Sequence, residues 1–89
     1  MNSYLLTLVL KSDLEDQARQ TLLADVKKKM SKVVKEDLWG ERSLAYPIKK
    51  QSKGYFIHFE FETEPKEAVD LDKSLKVEED ILRYLLVRA

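Results

Sequence analysis

Eighty-nine residues carry 16 Lys plus Arg against 16 Asp plus Glu, a formal net charge of zero, with 44% hydrophobic and 36% charged residues. That length fits one domain, residues 1–89, near the lower end of what buries a self-sufficient core, and the apolar share argues against wholesale disorder. With no cysteine and one histidine, His58, the composition excludes disulfides, thiolate or multi-histidine metal sites and a cysteine nucleophile.

Residues 4–10 (YLLTLVL) are apolar on both alternating faces, as in a strand inside a sheet. No apolar run reaches the roughly 20 residues a membrane span needs, and Met1 to Leu10 lacks the basic start of a signal peptide, so a cytoplasmic protein is expected. Asp13 is the predicted cap of a first helix, with Glu15 and Asp16 in its first turn. Leu14, Ala18, Leu22, Val26 and Met30 recur every four residues as its inward stripe, widened by Leu23, and Lys27 to Lys29 end it.

From Lys32 to Ile48 the pattern is strand-like but interrupted: Val33, Val34, Leu38 and Trp39 form one piece, and Arg42, Leu44, Tyr46 and Ile48 alternate through another. Gly40 between them predicts a bulge or bend, and Pro47, which has no N–H to donate, predicts a sheet edge. KKQSKG, residues 49–54, reads as a flexible hairpin tip. YFIHFEFE, residues 55–62, alternates cleanly, with Tyr55, Ile57, Phe59 and Phe61 on one face and Phe56, His58, Glu60 and Glu62 on the other. Pro65 opens a second helix whose stripe is Ala68, Leu71 and Leu75; Glu78 to Asp80 form a loop, and residues 81–88 (ILRYLLVR) close as a strand. The order β-α-β-β-α-β, with two helices on one face of a four-stranded antiparallel sheet, is the α+β ferredoxin-like sandwich.

Two helices cover one side of such a sheet only. If Ile57, Phe59 and Phe61 form the core, the other side exposes Leu5, Thr7, Val9, Phe56 and His58, joined by Arg83, Leu85 and Val87 if Tyr84 and Leu86 point inward. An apolar patch of that kind marks an interaction site. The charge is also polarised along the chain. Lys27 to Lys53 holds nine basic residues against three acidic ones, and Glu60 to Asp80 holds the reverse. A basic segment of this kind meets phosphate even in a neutral molecule, although solvated surface is the commoner role of charge runs.

Catalytic equipment is missing from the sequence. Four serines share one histidine among aromatics, and two glycines cannot build a phosphate cradle. Acylphosphatase, an enzyme of this topology, uses an arginine and an asparagine, whereas the one asparagine here is Asn2, near the terminus. The spacing of the acids fits no calcium loop. No enzymatic activity, cofactor, metal or small-molecule substrate is therefore expected. Lys53, Gly54, Tyr55 and Phe56 match only the start of the basic-Gly-aromatic signature of RNA-recognition motifs.

The run GERSLAYPIKKQSKGYF, Gly40 to Phe56, is more specific. It closely resembles the hallmark of the sixth protein family of the bacterial small ribosomal subunit: G-x-R-x-L-A-Y-P-I-x-K, a short polar loop, then G-Y and an aromatic. Gly40, Arg42, Leu44, Ala45, Tyr46, Pro47, Ile48, Lys50, Gly54 and Tyr55 all fit. Tyr4 and the closing apolar strand with its arginine extend the match across essentially the whole chain. The resemblance implies the ferredoxin-like fold and a structural ribosomal protein. Its implied partners are the central domain of small-subunit rRNA and the eighteenth small-subunit protein, bound as a heterodimer.

On that reading Arg42, Lys49, Lys50, Lys53, Arg83 and Arg88 are the candidate phosphate contacts, and Tyr46 packs on sugar or base. Leu5, Phe56, His58 and Leu85 are the candidate partner-binding residues. Ser43 and Leu82 stand where many members carry a basic residue, and arginine is scarce, four against twelve lysines. Bidentate phosphate contacts are then few, and binding to RNA alone is expected to be weak. Many members continue past the last strand in a flexible tail; where this sequence stops at Ala89, the function of such a tail is expected to be missing. The alternative is a small ferredoxin-like protein-interaction or ligand-sensing domain that self-associates through its open face.

Overall fold

The computed structural model describes residues 2–48 and 51–89. The elements are β1 (Asn2–Lys11), α1 (Asp16–Lys28), β2 (Lys32–Ile48), β3 (Gln51–Thr63), α2 (Pro65–Lys76) and β4 (Ile81–Arg88). The strands form one antiparallel sheet in the order β2-β3-β1-β4, so the sequence-derived ferredoxin-like topology holds and Pro47 lies on an edge strand. Tyr4, Leu6, Leu8 and Leu10 of β1 and Ile57, Phe59 and Phe61 of β3 form the sheet side of the core. Ala68, Leu71 and Leu75 of α2 close over them with Leu23 and Val26 of α1, and Tyr84 and Leu86 pack against the same cluster. Truncating a fully buried Phe59 or Leu71 in such a core to alanine costs about 2–5 kcal/mol.

Three local expectations change, and the one at Gly40 holds. Leu14 packs against the core before α1 begins, so the cap moves from Asp13 to Glu15, whose side chain makes no capping bond. With the helix starting at Asp16, its inward face centres on Leu23 and Val26, while Ala18 is exposed. β2 is one strand of 17 residues, and the bulge expected at Gly40 is there, as a shift of register between Leu38 and Gly40. Finally, Gln51 to Gly54 belong to β3: Gln51 pairs with Ile48, Lys53 with Ser43 and Gly54 with Arg42. The ladder breaks register a second time between Ser43 and Ile48 and resumes at the Ile48–Gln51 pair.

Thr63 is fully buried at the end of β3, and its hydroxyl donates to Glu67 Oε2 at 3.1 Å, 3.2 Å from Ser31 Oγ. Ser31 donates to the same carboxylate oxygen at 2.9 Å. This cluster ties the α1–β2 connection to the first turn of α2.

Candidate functional site

With Ile57, Phe59 and Phe61 turned to the helices, the β pleat points Phe56, His58 and Glu60 to the other side. Register then builds rows across the open face: Phe56, Val9 and Arg83; His58, Thr7 and Leu85; Glu60, Leu5 and Val87. Leu5, Phe56, His58 and Leu85 accordingly share one face, on which Leu85 is 62% exposed. The face is less open than alternation alone predicts. Val9 is buried, and Phe56 and His58 are half-buried.

The cover comes from the β2–β3 hairpin. Gly40 adopts φ +82, a left-handed conformation that costs other residues roughly 1–2 kcal/mol, at the point where the register shifts. Beyond it the hairpin leans over the sheet. A methyl placed on Gly54 would stand 2.4 Å from Val9 Cγ1 and 3.4 Å from Leu44 Cδ2, so glycine is what lets Leu44 and Val9 close there. Between hairpin and sheet runs a groove of about 460 Å³, lined by Val9, Leu44, Tyr46, Phe56, Arg83 and Leu85 among others. Tyr46, 81% exposed, stands on its rim.

Beside the groove, Trp39 is the residue displaced at the register shift. Its indole stacks on the His58 imidazole, with centroids 5.4 Å apart and planes 6° from parallel. His58 Nδ1 is 3.0 Å from Thr7 Oγ1, in a hydrogen bond that fixes the ring. The Arg42 guanidinium carbon lies 5.8 Å from the indole centroid, at the outer limit of a cation–π contact. In the sequence Trp39 reads only as part of a strand. The available signal was a lone tryptophan beside a bulge glycine.

Polarisation along the chain does not survive as spatial separation. The basic strand β2 lies against the acidic end of β3, with Lys32 opposite Glu62 and Lys35 opposite Glu60. Lys27 pairs with Glu36, Lys28 with Asp25, Lys35 with Asp37, and Lys53 with Glu41 at 3.8 Å. Among the described residues, Arg42, Arg83 and Arg88 enter no ion pair. Arg83 lines the groove, and Arg42 lies by the tryptophan. Arg88 sits opposite Tyr4, with the alternation of the core face and at the far end of β4, so the fold does not bring it to them. Lys49 and Lys50 lie outside the described residues. No group of acidic or histidine side chains suited to a metal ion occurs among the described residues.

Comparison with known proteins adds identity to this geometry. The family model described as Ribosomal protein S6 matches residues 3–88. The chain belongs to the ribosomal protein S6 family. It is 34% identical over 92 residues to the small ribosomal subunit protein bS6 of Caldanaerobacter subterraneus subsp. tengcongensis, covering 99% of this chain and 97% of that one. The bS6 protein of Clostridioides difficile is 32% identical, with both chains covered in full. The crystal structure of 30S ribosomal protein S6 from Thermotoga maritima superposes with a TM-score of 0.92, at 24% identity, over 99% of this chain and 87% of that one. That likeness carries the fold.

Proposed function

We propose that this chain is a structural component of the small ribosomal subunit that binds the central domain of its rRNA together with the eighteenth small-subunit protein. Membership of the ribosomal protein S6 family supports a ribosomal, non-catalytic role in translation, in the cytoplasm. The observation that carries the RNA reading is a pair of arginines without a carboxylate partner among the described residues: Arg83 lines the groove with the exposed Tyr46, and Arg42 stands by the Trp39 ring. Two guanidinium groups that no carboxylate engages are available to phosphate oxygens, and a phenol on the rim can pack on a sugar or base. Lys53 supplements them, with its charge shared with Glu41, and Lys49 and Lys50 adjoin it in sequence.

Leu5 and Leu85 with the flanks of Phe56 and His58 make the apolar part of the open face, which suits a protein partner. RNA and protein would then meet the chain on adjoining surfaces. A gel shift with a central-domain rRNA fragment tests this: weak retardation by the protein alone and tight retardation with the eighteenth protein are expected. No shift under either condition overturns the proposal. Sedimentation of the pure protein separates it from the self-association alternative, which requires a tight homodimer.

A further inference from the structure

We propose that Trp39, held flat against His58, is the seat for one unpaired nucleobase of the bound RNA. The Trp39 indole remains 44% exposed after stacking on His58, so a π face is left for a further ring. It is also fixed in place. Thr7 holds the imidazole, and the imidazole holds the indole in a near-parallel stack. Such a surface has already lost its freedom before a ligand arrives, which lowers the entropic cost of stacking a third ring.

The chemistry around the ring selects the occupant. Arg42 lies 5.8 Å from the indole centroid, takes part in no ion pair among the described residues, and is free to engage the phosphate next to a stacked base. An apolar anchor from a protein would gain more from the groove beside Leu44, Val9 and Phe56, whereas Trp39 has the Arg42 guanidinium by its ring and Asp37 opposite His58 in the ladder. A base needs a π face and a nearby cation, and both are present. The seat lies where β2 runs into its hairpin.

This inference rests on the RNA-binding reading, and its test keeps the two apart. Trp39 is the chain's single tryptophan, so its emission reports the site directly. The full chain is titrated with the central-domain rRNA fragment, with and without the eighteenth protein, and the same titration of Trp39→Phe is subtracted. Saturable quenching is expected, because a stacked base quenches indole. In the gel shift, Trp39→Ala should weaken fragment binding by about 5- to 150-fold, the range expected for one lost base–aromatic stack. Trp39→Phe should restore part of that loss, since phenylalanine can still stack on His58; circular dichroism confirms that both variants fold. Tight binding with unchanged emission and an unaffected Trp39→Ala variant overturns the nucleobase seat and leaves the RNA reading standing. Loss of partner binding with RNA affinity intact overturns it in favour of a protein contact. No fragment binding in any condition overturns both.

Discussion

Gly54 and Val9 illustrate how a single missing Cβ shapes this site. The hairpin can lie down on the open face because nothing projects from Gly54 toward Val9, and a methyl there would be 2.4 Å from Val9 Cγ1. Both partners sit in packed strands, so neither moves away freely. Gly54→Ala is expected to cost about 1–3 kcal/mol, as overpacking of a close contact does, measured by urea unfolding. Adding Val9→Ala to that variant should return part of the loss, and strict additivity of the two changes would deny the clash. Sequence placed Gly54 in a loop, because glycine in a polar run reads as a turn. The need for it comes from Leu44 and Val9, which are far apart in sequence.

Elements are joined here by a few polar contacts laid over the apolar core, and the bond between β4 and α2 has a pH signature. Tyr84 donates its hydroxyl proton to Asp72 Oδ1 at 2.7 Å. Burial, then the Asp72 carboxylate, pushes the Tyr84 phenol up to about 12, and the same hydrogen bond, with Lys76 adding to it, holds Asp72 below the usual carboxylate range. A raised folded-state phenol binds its proton more tightly than the unfolded chain does. Its contribution to stability is therefore complete below pH 10 and lost as pH rises toward 12. The lowered carboxylate contributes above its ordinary value of 3.8 and is lost as the solution becomes more acid. Thermal melts of the native chain should accordingly fall between pH 10 and 12, and Tyr84→Phe should flatten that fall. Equal slopes in both proteins would remove Tyr84 as its source. Helix α2 itself was legible down to Pro65 and its buried stripe, because its period is regular. The start of α1 was not, since the packing of Leu14 decides where the helix begins.

For the whole molecule, the zero net charge proves less informative than which charges remain unpaired. Strand pairing lays basic β2 along the glutamates of β3, and lysine after lysine finds a carboxylate. Among the described residues on the hairpin side, Arg42 and Arg83 are left without a carboxylate partner. The expected salt dependence of rRNA-fragment binding is thus shallow. Replacing both arginines by glutamine should reduce the slope of log affinity against log salt by about 1.4–1.8, at 0.7–0.9 per phosphate contact. Arg88→Gln, on the helix side at the other end of the sheet, should leave it unchanged. A slope that falls with Arg88 but not with the other two would move the RNA to the opposite end of the molecule.

The sequence by itself determined the topology, the core and the family. Alternation, helical stripes and the Gly40 to Phe56 run are local patterns that a chain carries whether or not it is folded. It also established that Phe56, His58 and Leu85 share the non-core face, because the pleat has a period of two. Only the tertiary structure decided that the hairpin leans back to cover Val9, that Trp39 stacks on His58, and that, among the described residues, Lys27, Lys35 and Lys53 pair with carboxylates while Arg42 and Arg83 do not. Each of these depends on strand register and on the bend at Gly40, which bring together residues that no local pattern connects.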